Sequence, residues 1–370
     1  MKYYTLNNLL KAGKDCKYLI CFGERSNGKT HSIIKYGLED WVKNGRQIAI
    51  LRRWYDDFQG KRGAAYFDSL VCDGNGVNQI KKITGGQYDR VVYQAQRWYL
   101  AYFNDELNKV VTQNEPFALA FAISMMEREK GNSYPKVGTI FFDEFMTRQR
   151  YIPNEFVLFM NVVSTLVRQR DDIKIFMAAN TVSLYCPYFK EMGLTHIKDM
   201  KKGNIEVYTY GNSKLKVAVE YADSPSKLGK PSDVYFAFDN PSLKMITSGA
   251  FELDIYPHIT VDFERKDILF IYFVKFEDTI LQCEIVSTDN MLFTYVHLKT
   301  SEIKNIDDDI IYDLEPNEQH NYYKNLLYPV DKLSQKITHF YKANKVFYQS
   351  NDIGEIMNHY LNQCRKAVMH

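Results

Sequence analysis

The sequence predicts a parallel α/β sheet with helices on both faces, followed by a linker and a smaller α+β unit. Three observations predict it. Residues 18–22 are an apolar run of strand length that feeds a glycine-rich loop and then a helical pattern. Residues 137–142 form a second such run, ending in Asp143-Glu144, and residues 173–179 a third, ending in Asn180. Runs that are apolar throughout belong to strands covered on both faces, and helical patterns between them supply the covers. In the last third of the chain strand-like runs precede helical ones, the order of a separate α+β unit.

Composition narrows the field. The chain has 370 residues, with 45% hydrophobic and 25% charged, a globular balance with room for two cores. Lys plus Arg number 47 against 45 acids, so a nucleic-acid surface must be a local patch and not a property of the whole molecule. Cys16, Cys21, Cys72, Cys186, Cys283 and Cys364 show neither a CxxC pair nor zinc spacing and read as free thiols of a reducing compartment. No signal-peptide h-region and no run approaching ~20 apolar residues is present, so secretion and membrane spanning are not expected. The aromatics, 28 Tyr and 23 Phe, are scattered through strand-like runs and read as core.

The first run leads into Gly23-Glu24-Arg25-Ser26-Asn27-Gly28-Lys29-Thr30, which fits G-x-x-x-x-G-K-[ST]. Its glycines let backbone N–H groups turn inward around a phosphate, and the following helix adds its positive end. Lys29 is of a length to reach the β- and γ-phosphates of ATP, and the Thr30 hydroxyl suits a Mg2+ position. Ile33, Ile34, Leu38 and Trp41 give that helix an apolar side, and Asn44-Gly45 stops it. Arg25 is either solvated or paired, or leans over the γ-phosphate as a charge stabiliser.

Hydrolysis also needs a metal-organising acid and a group that orients water. Asp143 at the end of the second run is placed to hold Mg2+ through its water shell, and Glu144, by strand alternation, to point away from it toward the attacking water. Asn180 ends the next strand, where an amide beside the acid strand can sense the γ-phosphate; a plain strand-end turn is the alternative. Residues 153–167 read as a helix of roughly 22 Å, with Phe156, Met160, Val163 and Val167 on one face. It carries Arg168 and Arg170 away from Glu144, so either reaches a neighbour's nucleotide more readily than its own. Arg168 is the first choice for such a trans-acting finger and Arg170 the alternative; both equally suit the negative end of a helix dipole.

These segments, with Ile50-Leu-Arg-Arg53, Ser133-Tyr-Pro135, Thr139-Ile-Phe-Phe-Asp-Glu-Phe145, Tyr151-Ile-Pro-Asn-Glu155, Arg168-Gln-Arg170 and Asn180-x-Val-Ser-x-x-x-Pro-Tyr-Phe189, resemble the DNA-packaging ATPases of phi29-like tailed bacteriophages. The resemblance covers roughly residues 15–190. It implies an additional-strand, catalytic-glutamate (ASCE) P-loop NTPase, RecA- and FtsK-like and related to terminase large-subunit ATPases, in which the loop arginine Arg25 is similar to that of the terminases. It further implies a pentameric ring on the portal vertex of a procapsid in the host cytoplasm, moving double-stranded DNA, in part of the family with an RNA scaffold. Basic positions of the family match Lys61 and Arg62, in a glycine-flanked loop, and Lys130, in another basic loop; both loops are expected to track a DNA backbone without reading sequence, an ordinary solvated turn being the alternative for either. A C-terminal domain resembling a vestigial RNase H-like nuclease, docking to nucleic acid or the capsid vertex, is also implied.

The division expected is residues 1–212 for the ATPase, 213–245 for a linker beginning with a helix over 212–221, and 246–370 for the last domain. There, residues 250–255, 259–263, 268–276, 280–285 and 291–297 read as strands, and 322–327 and 352–367 as helices. Asp254, Asp262 and Asp352 are candidate acids for an active nuclease, and Asp307-Asp308-Asp309 reads as a solvated turn. A terminase-like motor that also cuts DNA, and an assembly module that binds ATP with negligible turnover, are the competing functions. An N-terminal aromatic such as Tyr4 is a candidate for the adenine pocket.

Overall fold

The computed structural model describes residues 4–25, 27–125, 131–147, 151–181, 186–211, 213–223, 256–259, 261–276, 279–289 and 291–366. The chain divides into two units, Met1–Glu252 and Leu253–His370.

In the first unit, α1 (Asn7–Ala12), β1 (Tyr18–Gly23) and α2 (Lys29–Asn44) precede β2 (Gln47–Arg52). Short helices α3 (Gly60–Ala64), α4 (Asp68–Val71) and α5 (Gln79–Ile83) lead to β3 (Arg90–Gln94), β4 (Arg97–Asn104), β5 (Lys109–Thr112) and β6 (Ala118–Ala122). Then come β7 (Val137–Asp143), α6 (Glu155–Val167), β8 (Lys174–Asn180), α7 (Pro187–Glu191), β9 (Ile205–Thr209) and β10 (Lys216–Ala222). The strands form one sheet in the order β3-β4-β6-β2-β7-β8-β1-β10-β9, with β5 on β4. From β6 to β10 its neighbours pair in parallel, and antiparallel strands close both ends.

Of the expected apolar runs, β1 and β7 are buried at every position and β8 at all but its two end residues; β6, which had no expected counterpart, is buried throughout. One face packs Phe22, Phe142, Phe159 and Tyr188 together, the other Leu19, Ile33, Leu38, Ile50 and Phe176. Strand β8 lies between β1 and β7, the additional-strand arrangement. Helix α2 ends as predicted, with Gly45 left-handed at φ 66° and its N–H donating to the Trp41 carbonyl. Gly37 lets this helix close on the sheet, since a Cβ there would sit 2.6 Å from Ile48 Cδ1.

Two readings of this unit need correction. Residues 216–222 are not helical but form β10, parallel to β1, so the sheet continues beyond residue 212. Strand β10 is covered on both faces, which removes the alternation that would have marked it as a strand. The buried stripe of α6 is Glu155, Phe159, Val162, Val163 and Leu166; of the expected face only Val163 belongs to it, and Met160 is 37% exposed. The hairpin extension β3–β5 had no expected counterpart.

In the second unit β11 (Ile268–Phe276), β12 (Thr279–Ser287) and β13 (Leu292–Leu298) form an antiparallel meander. Strand β14 (Ile311–Asp313) adds in parallel to β11, β15 (Tyr322–Tyr323) to β14 and β16 (Val346–Tyr348) to β13. Helices Lys332–Lys342 and Asn351–Lys366 complete it. Residues 322–327 hold a short strand in place of the expected helix, and the described residues of the strand expected over 259–263, 259 and 261–263, are irregular. Residues 250–255, with Asp254, lie outside the described residues. The acids at 307–309 lie in a turn and bend, as read. Among the described residues no helix is long and apolar enough to cross a membrane, and the six cysteines are unpaired.

Candidate active site

The glycine-rich loop follows β1 directly. Gly23 is required by close approach: a Cβ would lie 2.7 Å from the Ala222 carbonyl oxygen on β10. Gly28 is left-handed at φ 97° immediately before α2, so it turns the chain into the helix at no side-chain cost. Lys29 is only 5% exposed. Its Nζ donates to the carbonyls of Gly23 (3.2 Å) and Glu24 (2.6 Å) and to Asn27 Oδ1 (3.1 Å). Burial pulls its pKa down to about 8, with Cys21 and Asp143 opposing the fall.

Across the sheet, the Thr30 hydroxyl donates to Asp143 Oδ1 over 3.1 Å. The other oxygen of Asp143 accepts from Arg52 Nη2 at 2.7 Å and from the Tyr66 hydroxyl at 2.9 Å. Burial, reinforced by Asp143, holds the Tyr66 phenol protonated and therefore a donor. Arg52 Nη1 meanwhile donates to Glu144 Oε2 at 2.9 Å. Alternation would have sent Glu144 to the opposite side from Asp143. Instead Glu144 leaves the strand in the left-handed region at φ 58°, and one guanidinium holds both carboxylates. Burial opposes the Arg52 charge, but Asp143 overrides it and keeps the group protonated.

These residues fit a magnesium nucleotide. Asp143 and the Thr30 hydroxyl form a hard-oxygen donor pair suited to Mg2+. Two buried donors at the site, Asn27 Nδ2 and Arg52 Nε, have no partner among the described residues, as expected of groups awaiting an anion.

Arg52 and Tyr66 were not foreseen as site residues. The signal for Arg52 was the Ile50-Leu-Arg-Arg53 segment, but its meaning depends on β2 lying beside β7, which only the sheet order reveals; Tyr66 had no such signal.

The remaining candidates sort by surroundings. Glu24 pairs with Lys202 at 2.6 Å, Arg25 is exposed, and Ser26 lies outside the described residues. Asn180 is in register with Gly23, with the next N–H, of Thr181, on the Gly23 carbonyl. Arg170 donates to the carbonyls of Tyr134, Pro135, Val137, Leu166 and Val167, and is committed to the fold. Arg168 is exposed at the end of α6, left-handed at φ 39°, and its side chain donates to the Asn132 carbonyl. Lys61 and Arg62 are exposed, but their segment is helix α3 and not the expected loop. It is anchored through Gly63, whose carbonyl accepts from Trp98 Nε1 at 2.8 Å. Lys130 lies outside the described residues. Tyr4 is no adenine platform: it is 3% exposed and its hydroxyl donates to the buried Glu220 at 2.6 Å.

A family model for the podovirus DNA encapsidation protein (Gp16) matches residues 1–224. The DNA packaging protein of Bacillus phage B103 is 28% identical over 184 residues, 49% of this chain and 48% of that protein; the match thus spans about half the length of this relative. The chain is similar in fold to a chain of the bacteriophage Phi-29 genome packaging motor assembly, with TM-score 0.59 at 18% identity over 96% of this chain and 97% of that one. The Phi-28 gp11 packaging motor gives 0.55 at 18% identity over 98% of both chains. The chain belongs to the podovirus DNA encapsidation protein (Gp16) family.

Proposed function

We propose that this protein is a viral genome-packaging ATPase that hydrolyses ATP to move double-stranded DNA into a procapsid. The observation that carries the reading is the Thr30 hydroxyl 3.1 Å from Asp143, with Lys29 buried in the loop beside them and Glu144 next in the chain. Thr30 and Asp143 would hold Mg2+, which supplies charge neutralisation on the phosphates. Lys29 exchanges its carbonyl partners for phosphate oxygens, and the amide of Asn27 donates beside it. Glu144, released from Arg52, accepts the proton of the attacking water. Asn180, in register with the loop, senses the γ-phosphate, and Arg25, exposed on the loop, is free to lean over it.

The exposure of Arg168 supports it as the finger acting on a neighbour's nucleotide, which in turn implies a ring; a pentamer on the portal, with or without an RNA scaffold, is the form we infer. Lys61, Arg62 and Lys130 are the proposed phosphate contacts on DNA. For the second unit, the meander β11–β13 with β14 added in parallel supports a vestigial RNase H-like sheet. Lys275 on β11 pairs at 3.0 Å with the buried Asp313 on β14, so a cation side chain already neutralises that carboxylate. This favours docking over cutting.

The test is ATP-dependent protection of duplex DNA from nuclease when the chain is mixed with procapsids of its own phage. Protection that requires Lys29 supports the motor. ATP binding with neither turnover nor protection, with DNA and procapsids present, contradicts it.

A further inference from the structure

Three sequence segments that lie outside the generic ATPase motifs converge on one buried network. They contribute Arg53, Glu155 and Tyr188. Arg53 and Glu155 form a two-pronged pair, Nε to Oε2 at 2.7 Å and Nη2 to Oε1 at 2.8 Å, both nearly sealed from solvent. The Tyr188 hydroxyl donates to Glu155 Oε1 at 2.9 Å and the Ile152 N–H to Oε2 at 2.7 Å. The guanidinium also lies 4.9 Å from the Tyr151 ring centroid. Glu155 therefore has both oxygens engaged and fixes the Arg53 plane.

What that plane holds is the chain just past the acid strand. Arg53 Nη2 donates to the Phe145 carbonyl at 2.9 Å and Nη1 to the Glu144 carbonyl at 3.3 Å, while the Phe145 N–H donates to the Ala178 carbonyl on β8. Glu144 is a non-glycine residue at φ 58°. Such a conformation persists only where its surroundings over-determine it, and the Arg53 grip on two successive carbonyls is the determinant present here. Arg52 holds the Glu144 side chain; Arg53 holds its main chain.

We infer that Glu155, acting through Arg53 and steadied by Tyr188, is a positioning residue that sets the backbone of Glu144 and hence the aim of its carboxylate. Because Glu155 begins α6, Tyr188 lies in α7 and Phe145 is bonded to β8, the network ties the aim of Glu144 to elements that end at Arg168 and Asn180. The inference rests on the proposed role of Glu144.

The experiment measures ATP turnover and binding of a fluorescent ADP analogue in the full chain. Glu155→Gln keeps the shape but weakens the hold on Arg53; it is expected to lower kcat about tenfold with KM and analogue affinity within about twofold. A second variant separates aim from stability: Arg53→Met, Glu155→Leu and Tyr188→Phe combined replaces the buried pair by apolar groups, an exchange often neutral or stabilising. It is expected to melt near the native temperature and to remain slow, and it decides the matter should Glu155→Gln not fold. Native kcat in Glu155→Gln, or in the stable triple variant, overturns the inference. Glu144→Gln is run in parallel. If it is inactive while the network variants turn over normally, only this inference fails; if it is itself fully active, the reading of Glu144 has failed first.

Discussion

Arg52 Nη1 lies 2.9 Å from Glu144 Oε2 while its Nη2 lies 2.7 Å from Asp143 Oδ2. A single guanidinium thus bridges both acids that the proposed chemistry needs. Asp143 is buried whereas the Glu144 side chain is 59% exposed, so the two halves of the bridge differ. The outer half is solvent-screened and weak; the inner half compensates a charge removed from water.

Arg52→Gln should therefore destabilise the nucleotide-free chain by about 2 kcal/mol, part of the cost of an unpaired buried charge, because Thr30 and Tyr66 still donate to Asp143. Mg2+ should recover more stability in this variant than in the native chain, since it replaces the lost counter-charge. Denaturant melts with Mg2+ and with a chelator check this; equal Mg2+ effects in the two chains contradict it.

Lys29 gives a pH dependence. Its pKa in the folded chain is about 8, below the 10.5 of an unperturbed lysine, so between these values the unfolded chain binds more protons and stability from this group rises with pH. Below about 8 its charge is a burden on the fold. Phosphate stabilises the charged form, so nucleotide affinity should fall as pH rises above about 8, approaching tenfold per unit. Titrating affinity from neutral to alkaline pH checks it, with Lys29→Met expected to bind weakly throughout and to lose the slope.

The fold was legible in the sequence where physics is local. The phosphate loop, the acid strand and the helix stop at Gly45 each announce themselves within a few residues. Strand β10 did not, because burial on both faces erased its alternation, and helix α6 was read with its stripe rotated because Asn154 enters it left-handed and Glu155 points inward to Arg53. The roles of Arg52 and Tyr66 depend on strand order and on a chain separation of 77 residues or more from Asp143. Local patterning cannot convey such contacts.

Arg168 and Arg170 should separate cleanly. Arg170→Ala removes a side-chain donor from five carbonyls, of which those of Tyr134 and Val167 keep a backbone N–H, and should cost about 2 kcal/mol of stability. Arg168→Ala should change stability by no more than about 0.5 kcal/mol yet suppress turnover in the proposed ring. Melting both variants and assaying Arg168→Ala mixed with native chains checks the division; a stable Arg170→Ala variant contradicts it.

Tyr4 should act as a brace and not as a nucleotide contact. Its N–H donates to the Asn27 carbonyl and its own carbonyl accepts from Ser32, so it spans loop and helix. Tyr4→Phe removes the hydroxyl from the buried Glu220 and should lower stability by about 1 kcal/mol. An adenine-stacking ring would tolerate that change. Thermal melts and ADP affinity distinguish the two.

The central claim is that Glu144 activates water in a DNA-coupled ATPase. Steady-state ATP hydrolysis with and without duplex DNA, in the native chain and in Glu144→Gln, tests it most directly. The account predicts DNA-stimulated turnover in the native chain and its loss in the variant with nucleotide binding retained. Equal turnover in the two chains would contradict it.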